Sequence, residues 1–229
     1  MSISSLVLFG SRARADNDTR SDIDLLLITA DGHTRQVKVG SVSLSFYPLH
    51  VMIDKSKNGD LFVLHIIREG LLLTGSPVPF ENIKSSFRQR SNYEKEIRAA
   101  ADLGWLIVRF GAEFDDKLVQ RRVSWCIRTV LIANSVQSGH PTFSSEKLST
   151  LYPAYAVTRL IRQKDEPISS ETFPLLRDFL IEYGKTDPCP DAVAPNDYLG
   201  HFERTENAVA LHFLASQDKK ENKDEYSSS

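Results

Sequence analysis

Asp22 and Asp24 stand two residues apart at the head of an apolar run, DIDLLLIT. A strand sends residues i and i+2 to one face, so both carboxylates point the same way. Two carboxylates so placed repel, and burying either one uncompensated is costly. A bound divalent ion removes that cost, because carboxylate and phosphate oxygens complete its coordination shell. Gly10 and Ser11 follow directly on an earlier apolar run, SLVLFG. Glycine lets the backbone approach a phosphate closely, and the serine hydroxyl and nearby N–H groups can hold its oxygens. Arg12 and Arg14 add positive charge suited to a polyphosphate. Together these residues read as a metal–nucleoside triphosphate site between two adjacent strands. The alternative is a polar loop with solvated carboxylates. It accounts for a lone Asp-x-Asp, but poorly for turn, arginines and aspartates together.

The elements that must position these residues read as α/β over residues 1–80. SLVLFG and DIDLLLIT are strands, the second too apolar on both faces for an exposed one. QVKVGSVSLSFYPL alternates and contains β-branched residues, which predicts one bent strand or a hairpin broken near Gly40. DLFVLHIIRE, from Asp60 to Glu69, has helical spacing. Gly70 ends it, and Leu71–Leu73 form a short last strand. SPVPFENIKSS reads as a junction. From about Asn92 the texture changes to long segments with helical apolar spacing. NYEKEIRAAADLGWLIVRFGAEF, KLVQRRVSWCIRTVLIANSVQSG, TFPLLRDFLIEYGK and NDYLGHFERTENAVALHFLASQ predict four main helices. EKLSTLYPAYAVTRLIRQK adds a broken one between the second and third. The expected organisation is an α+β chain: a mixed sheet with helices over 1–80, an α-helical bundle over 92–216, and a polar, disordered tail over 217–229.

The Gly10-Ser11 turn, the Arg-Ala-Arg after it, and Ser21-Asp22-Ile23-Asp24 resemble the signature of the polymerase β-like nucleotidyltransferase superfamily. The nearest subgroup is the minimal nucleotidyltransferases, with antibiotic nucleotidyltransferases of the kanamycin type as relatives. The resemblance implies a nucleotidyltransferase fold in the N-terminal part and transfer of a nucleoside monophosphate from an NTP. Asp22 and Asp24 would hold Mg²⁺ (or Mn²⁺) and serve as catalytic residues. Gly10, Ser11, Arg12, Arg14 and Ser21 would bind the nucleotide. An acceptor oxygen on a protein hydroxyl, an RNA 3′ end or a small molecule would attack the α-phosphate and expel pyrophosphate. A toxin–antitoxin or defence setting follows from the family alone.

The sequence departs from that signature in three places. The superfamily carries a third catalytic carboxylate on a later strand, which corresponds to SVSLSFY. The expected position is near Ser43 or Ser45, and no Asp or Glu lies between Asp31 and Asp54. Serine is a weak ligand and no base at neutral pH. Ala15 stands where the family writes glycine, so the turn is expected to differ. Relatives also place a helix before the first strand, and only a few residues precede LVLFG here. A catalytically degenerate nucleotide-binding or regulatory protein is therefore the alternative function. Asp54, Asp60 and Glu69 are the candidates nearby in sequence to stand in for the missing one. His65 and Glu69 share a helix face at i, i+4. They either face the site, one of them as base, or make structural hydrogen bonds to neighbouring backbone; the second reading is preferred.

The chain has 229 residues, 41% hydrophobic and 25% charged, with a formal net charge of −2, so no overall basic excess advertises nucleic-acid binding. Its two cysteines, Cys126 and Cys189, are far apart and near no other evident ligands. Neither a disulfide framework nor a zinc site is expected, and this usage suits a reducing, cytoplasmic setting. No signal peptide is expected, and no apolar stretch reaches the roughly 20 residues of a membrane helix. In the helical half, Arg128 lies within an apolar stripe and needs a partner, either a group of the fold or a phosphate. Trp105 and Trp125 read as core. Helical bundles of the HEPN type accompany many minimal nucleotidyltransferases, but the Arg-x4–6-His motif of HEPN ribonucleases is missing, so no ribonuclease is expected. This half is expected to shape an acceptor cleft, to dock a partner protein, or to form a homodimer.

Overall fold

A computed structural model describes residues 2–15, 22–162 and 166–216. Ser21 and the tail from residue 217 lie outside the described residues. The chain divides into two compact units, Met1–Asn92 and Tyr93–Ser229.

The N-terminal unit is built on a five-stranded mixed sheet in the order β3-β4-β2-β1-β5. Its strands are β1 (Ile3–Phe9), β2 (Ile23–Thr29), β3 (Arg35–Val39), β4 (Val42–Pro48) and β5 (Leu71–Gly75). β1 runs antiparallel to β2 and β5, β4 runs parallel to β2, and β3 is antiparallel to β4. A four-residue helix, α1 (Ser11–Arg14), follows β1, and three more helices are α2 (Leu49–Lys57), α3 (Leu61–Glu69) and α4 (Pro77–Ser86). The period of two sends Val7 and Phe9 of β1 and Leu26 and Ile28 of β2 to one face. They bury there with Met52 of α2, Val63 and Ile66 of α3, and Phe80 and Ile83 of α4. Asp22 and Asp24 continue that face beyond the end of the apolar core.

QVKVGSVSLSFYPL is a hairpin: Val39 pairs with Val42 across Gly40-Ser41, and Gly40 has φ +58°. α3 starts at Asp60, whose carboxylate accepts from the N–H groups of Phe62 (2.9 Å) and Val63 (3.1 Å). Two helices were not expected. α2 buries only Met52 and Ser56, too few positions to mark a period. α4 falls in the stretch read as a junction, yet proline fits a first helical turn, and Ser76 caps it by accepting from Val78 N–H. The stretch read as a junction is thus part of the N-terminal unit. The Ser56 hydroxyl donates to the Ile83 carbonyl at 2.6 Å and ties α2 to α4.

The C-terminal unit is helical: α5 (Glu94–Phe110), α6 (Asp116–Gln137), α7 (Ser145–Leu151), α8 (Tyr155–Arg162), α9 (Thr172–Tyr183) and α10 (Leu199–Arg204), then a helix over 208–216. α7 and α8 are the expected broken helix. The last segment, expected as one long helix, is split after α10. Glu206 has φ +53°, and the Asn207 side chain accepts from Ala210 N–H at 3.2 Å to restart the helix. Arg128 donates to the Ser145 hydroxyl (2.5 Å) and the Phe143 carbonyl (3.1 Å), so groups of the fold partner it. Asp102 is fully buried, with His201 Nε2 at 2.6 Å from its carboxylate. Cys126 is buried, and burial pushes its thiol far above the ordinary range. Among the described residues no helix is long and apolar enough to cross a membrane.

Candidate active site

The end of β2 carries the site. Asp24 pairs with Phe9 on one side and with Ser43 on the other, and Ser43 pairs with Lys38. Phe9, Asp24, Ser43 and Lys38 therefore form one row across four strands, with side chains on one face. Asp22 lies two residues earlier on that face. Of the two serines, Ser43 is the direct neighbour of Asp24, whereas Ser45 lies two rungs deeper and pairs with Leu26.

Gly10 has φ +78° and ψ −157°, a conformation glycine alone adopts readily. It also stands against the carboxylate: a Cβ built there would meet Asp24 Oδ2 at 2.6 Å. The turn and the second aspartate are therefore in contact, although fourteen residues separate them in sequence. α1 then carries Ser11, Arg12 and Arg14, all partly buried. Ala15 closes α1 in the left-handed conformation (φ 59°, ψ 27°), its N–H bonded to the Ser11 carbonyl. Alanine thus holds a left-handed conformation that glycine adopts without strain, at a cost of about 1–2 kcal/mol.

Arg14 is turned inward. Its Nη1 donates to Glu69 Oε2 at 2.6 Å, and His65 Nε2 lies 2.8 Å from the same oxygen. All three side chains are less than one-fifth exposed. Burial pushes the Glu69 carboxyl up, but the bonds from His65 and Arg14 outweigh it and hold it below the ordinary value. The His65 ring packs edge-on against Phe9 at 5.6 Å. His65 and Glu69 thus bond each other and Arg14, rather than neighbouring backbone, and fasten α1 to α3. Asp60 serves as the α3 cap and pairs with Lys55, and Asp54 is exposed on α2.

Lys38 went unnoticed in the sequence. Its Nζ lies 2.6 Å from Asp22 Oδ2, and both groups are well exposed, at 59% and 37%. The signal was present: a two-residue hairpin at Gly40-Ser41 pairs Lys38 with Ser43 once the register is counted out. Among the described residues no group of three or more His, Cys, Asp or Glu side chains is arranged to hold a metal ion. Two carboxylates suffice for Mg²⁺ when substrate phosphates and water supply the other oxygens.

Residues 2–99 match the nucleotidyltransferase domain family. The N-terminal unit is a nucleotidyltransferase domain of the polymerase β-like superfamily. A nucleotidyltransferase-like protein from Exiguobacterium sibiricum 255-15 is among the similar solved structures. It is 17% identical, the match covers 79% of this chain and 68% of that one, and the TM-score is 0.32. No curated protein matches the chain. In this nucleotidyltransferase domain the sheet row and the Gly10 turn bring together Gly10, Asp22 and Asp24, with Ser11 and Arg12 next along the chain. Arg14, His65 and Glu69 bond one another beside Phe9, whose rung on the sheet is that of Asp24.

Proposed function

We propose that the chain transfers a nucleoside monophosphate from an NTP to an acceptor oxygen. The observation that carries this reading is the contact of Gly10 with Asp24, on the face that Asp24 shares with Asp22. Gly10 and Ser11 receive the phosphates, with Arg12 beside them. Arg14 holds the turn in place through Glu69. Asp22 and Asp24 would hold Mg²⁺ or Mn²⁺, which when bound neutralises phosphate charge and draws electron density from the reacting phosphorus. The acceptor oxygen forms a bond to the α-phosphorus as the bridge to the β-phosphate breaks and pyrophosphate leaves. The acceptor belongs to a protein, an RNA end or a small molecule. The helical unit offers a surface for it, for a partner protein or for a second copy. A toxin–antitoxin or defence role rests on family analogy.

A second reading has its own support. Ser43 stands beside Asp24 where a base would be needed, and Lys38 already neutralises Asp22. Such a domain could bind a nucleotide without transferring it and act through a partner. The experiment that separates the two uses the full chain, Mg²⁺, α-³²P-labelled NTPs and cell extract, beside Asp24→Asn. Label transfer that disappears in the variant supports the transferase. Nucleotide binding with no transfer to any acceptor supports the second reading instead.

A further inference from the structure

We infer that β3 pairs antiparallel with β3 of a second copy of the chain, Val37 facing Val37, whether or not the domain transfers nucleotide. β3 is an edge strand, bonded to β4 alone, and all five of its residues are exposed. Sheet edges are ordinarily blunted by a bulge, a proline or a lysine. The opposite edge, β5, has such a bulge: Leu6 pairs with Thr74 and Val7 with Leu72, so Leu73 is the extra residue. β3 has no proline, and its register runs without a break from Arg35–Phe46 to Val39–Val42. Its lysine reaches back over the sheet to Asp22, at 2.6 Å, and so leaves the edge open.

Val39 and Val42 close the two-residue turn at Gly40-Ser41 as a hydrogen-bonded pair. Bonding alternates along an antiparallel ladder, so Val37 and Arg35 also bond inward to β4. The N–H and C=O groups of Gln36 and Lys38 therefore point outward. They can meet a second β3 in three ways. Lys38 against Lys38 opposes like charges. Gln36 against Gln36 sets Val37 against Arg35 and carries Val39 past the end of the strand. Gln36 against Lys38 uses the whole strand: each such pair exchanges two backbone hydrogen bonds, and the two Val37 side chains meet on a twofold axis. Arg35 then faces Val39, so no cation faces its own copy. Val37 and Val39 are 37% and 63% exposed, on the face where Arg35 already stacks 4.2 Å over the Phe46 ring. This match in length, charge and outward groups assigns the edge to a second copy. On the other face, Gln36 of the second copy extends the row of Phe9, Asp24, Ser43 and Lys38. Each copy thus supplies a side chain to the rim of the other's candidate site.

One strand against another buries less than a standard interface, so the dimer is expected to dissociate at about 1–100 µM. Sedimentation equilibrium of the full chain across that range reads it, and a chain that stays monomeric throughout overturns the inference. Cysteine cross-linking reads the register. Cys126 is buried, and Cys189→Ser removes the partly exposed natural thiol. In that background Val37→Cys places two thiols on the axis, where the Cα atoms of a non-hydrogen-bonded pair stand about 4.5 Å apart, within reach of a disulfide. Val39→Cys is the more exposed position, but its own copy lies four residues along the strand, about 14 Å away. Mild oxidation is expected to cross-link Val37→Cys several-fold faster than Val39→Cys. Equal or reversed rates mark random collision and overturn the pairing. Gln36→Pro removes an outward N–H that β4 does not use, and proline is tolerated on an edge strand. It is expected to raise the dissociation constant about tenfold or more and to leave the melting of the dilute chain close to the parent's. A dimer as tight as the parent's puts the interface elsewhere and refutes the inference.

Discussion

Gly10→Ala tests the central contact of the site, and its two costs can be separated. The first is backbone strain. At φ +78° and ψ −157° alanine sits in a region open almost only to glycine, which costs about 1–3 kcal/mol. The second is steric. The new Cβ meets Asp24 Oδ2 at 2.6 Å and Asp24 Cγ at 3.4 Å. The struck atom is the end of a side chain, so the carboxylate swings away at small cost in stability. Function bears the loss, because Asp24 leaves the place where it faces the turn. For a unit of the size of Met1–Asn92, about 2 kcal/mol lowers the unfolding midpoint by about 8–16 °C. Thermal melts followed by circular dichroism measure the first cost, and calorimetric titration of NTP with and without Mg²⁺ measures the second. In an Asp24→Ala background the stability cost of Gly10→Ala should persist, while its effect on Mg²⁺-dependent binding should vanish. A variant that melts with the parent and binds Mg²⁺–NTP as the parent does would falsify the placement of Gly10 against Asp24.

Two further substitutions address the turn from its other end. Ala15→Gly relieves the left-handed strain at φ 59°. Net of the added freedom in the unfolded chain it should stabilise by about 0.5–1 kcal/mol; a lower midpoint in urea refutes it. Glu69→Gln breaks a partly buried ion pair and should destabilise by about 1–3 kcal/mol. It should also weaken NTP binding, because Arg14 no longer holds α1. The Glu69 carboxyl titrates below its ordinary value of 4.5. Its stabilisation is therefore complete above that value and drains away as the pH falls through the lower, folded one. Urea melts between pH 6 and 3 should show a shallower acid decline in Glu69→Gln than in the parent. Parallel declines refute the role assigned to the tether.

β1 and β2 were legible because each combines a short apolar run with a glycine or charged boundary, as in SLVLFG and DIDLLLIT. α3 was legible because Asp60 and Gly70 bracket a strongly amphipathic stretch. α2 and α4 were not, since α2 buries only two side chains and the prolines of α4 resemble a loop signal. The same contrast runs through the site. Asp22, Asp24, Gly10 and Ser11 are local and carry their chemistry in their spacing. Lys38 acquires meaning only from the register of two ladders, which places it on the row of Asp24 and Ser43. Arg14 was read as a phosphate ligand because its charge is local information. Its commitment to Glu69, fifty-five residues away, is not.

The disposition of charge around β2 constrains how a nucleotide can bind. A triphosphate brings several negative charges to a face that already holds two carboxylates. Besides Arg12, the nearby cations are Arg14, bonded to Glu69, and Lys38, bonded to Asp22. Either one that turned wholly to the phosphates would leave a carboxylate behind. For Arg14 that carboxylate is partly buried, so the exchange is costly. For Lys38 the pair is exposed and worth about 0–1 kcal/mol, so the exchange is cheap once Asp22 gains another cation. A divalent ion on Asp22 and Asp24 supplies that replacement. Nucleotide binding should therefore depend steeply on the ion.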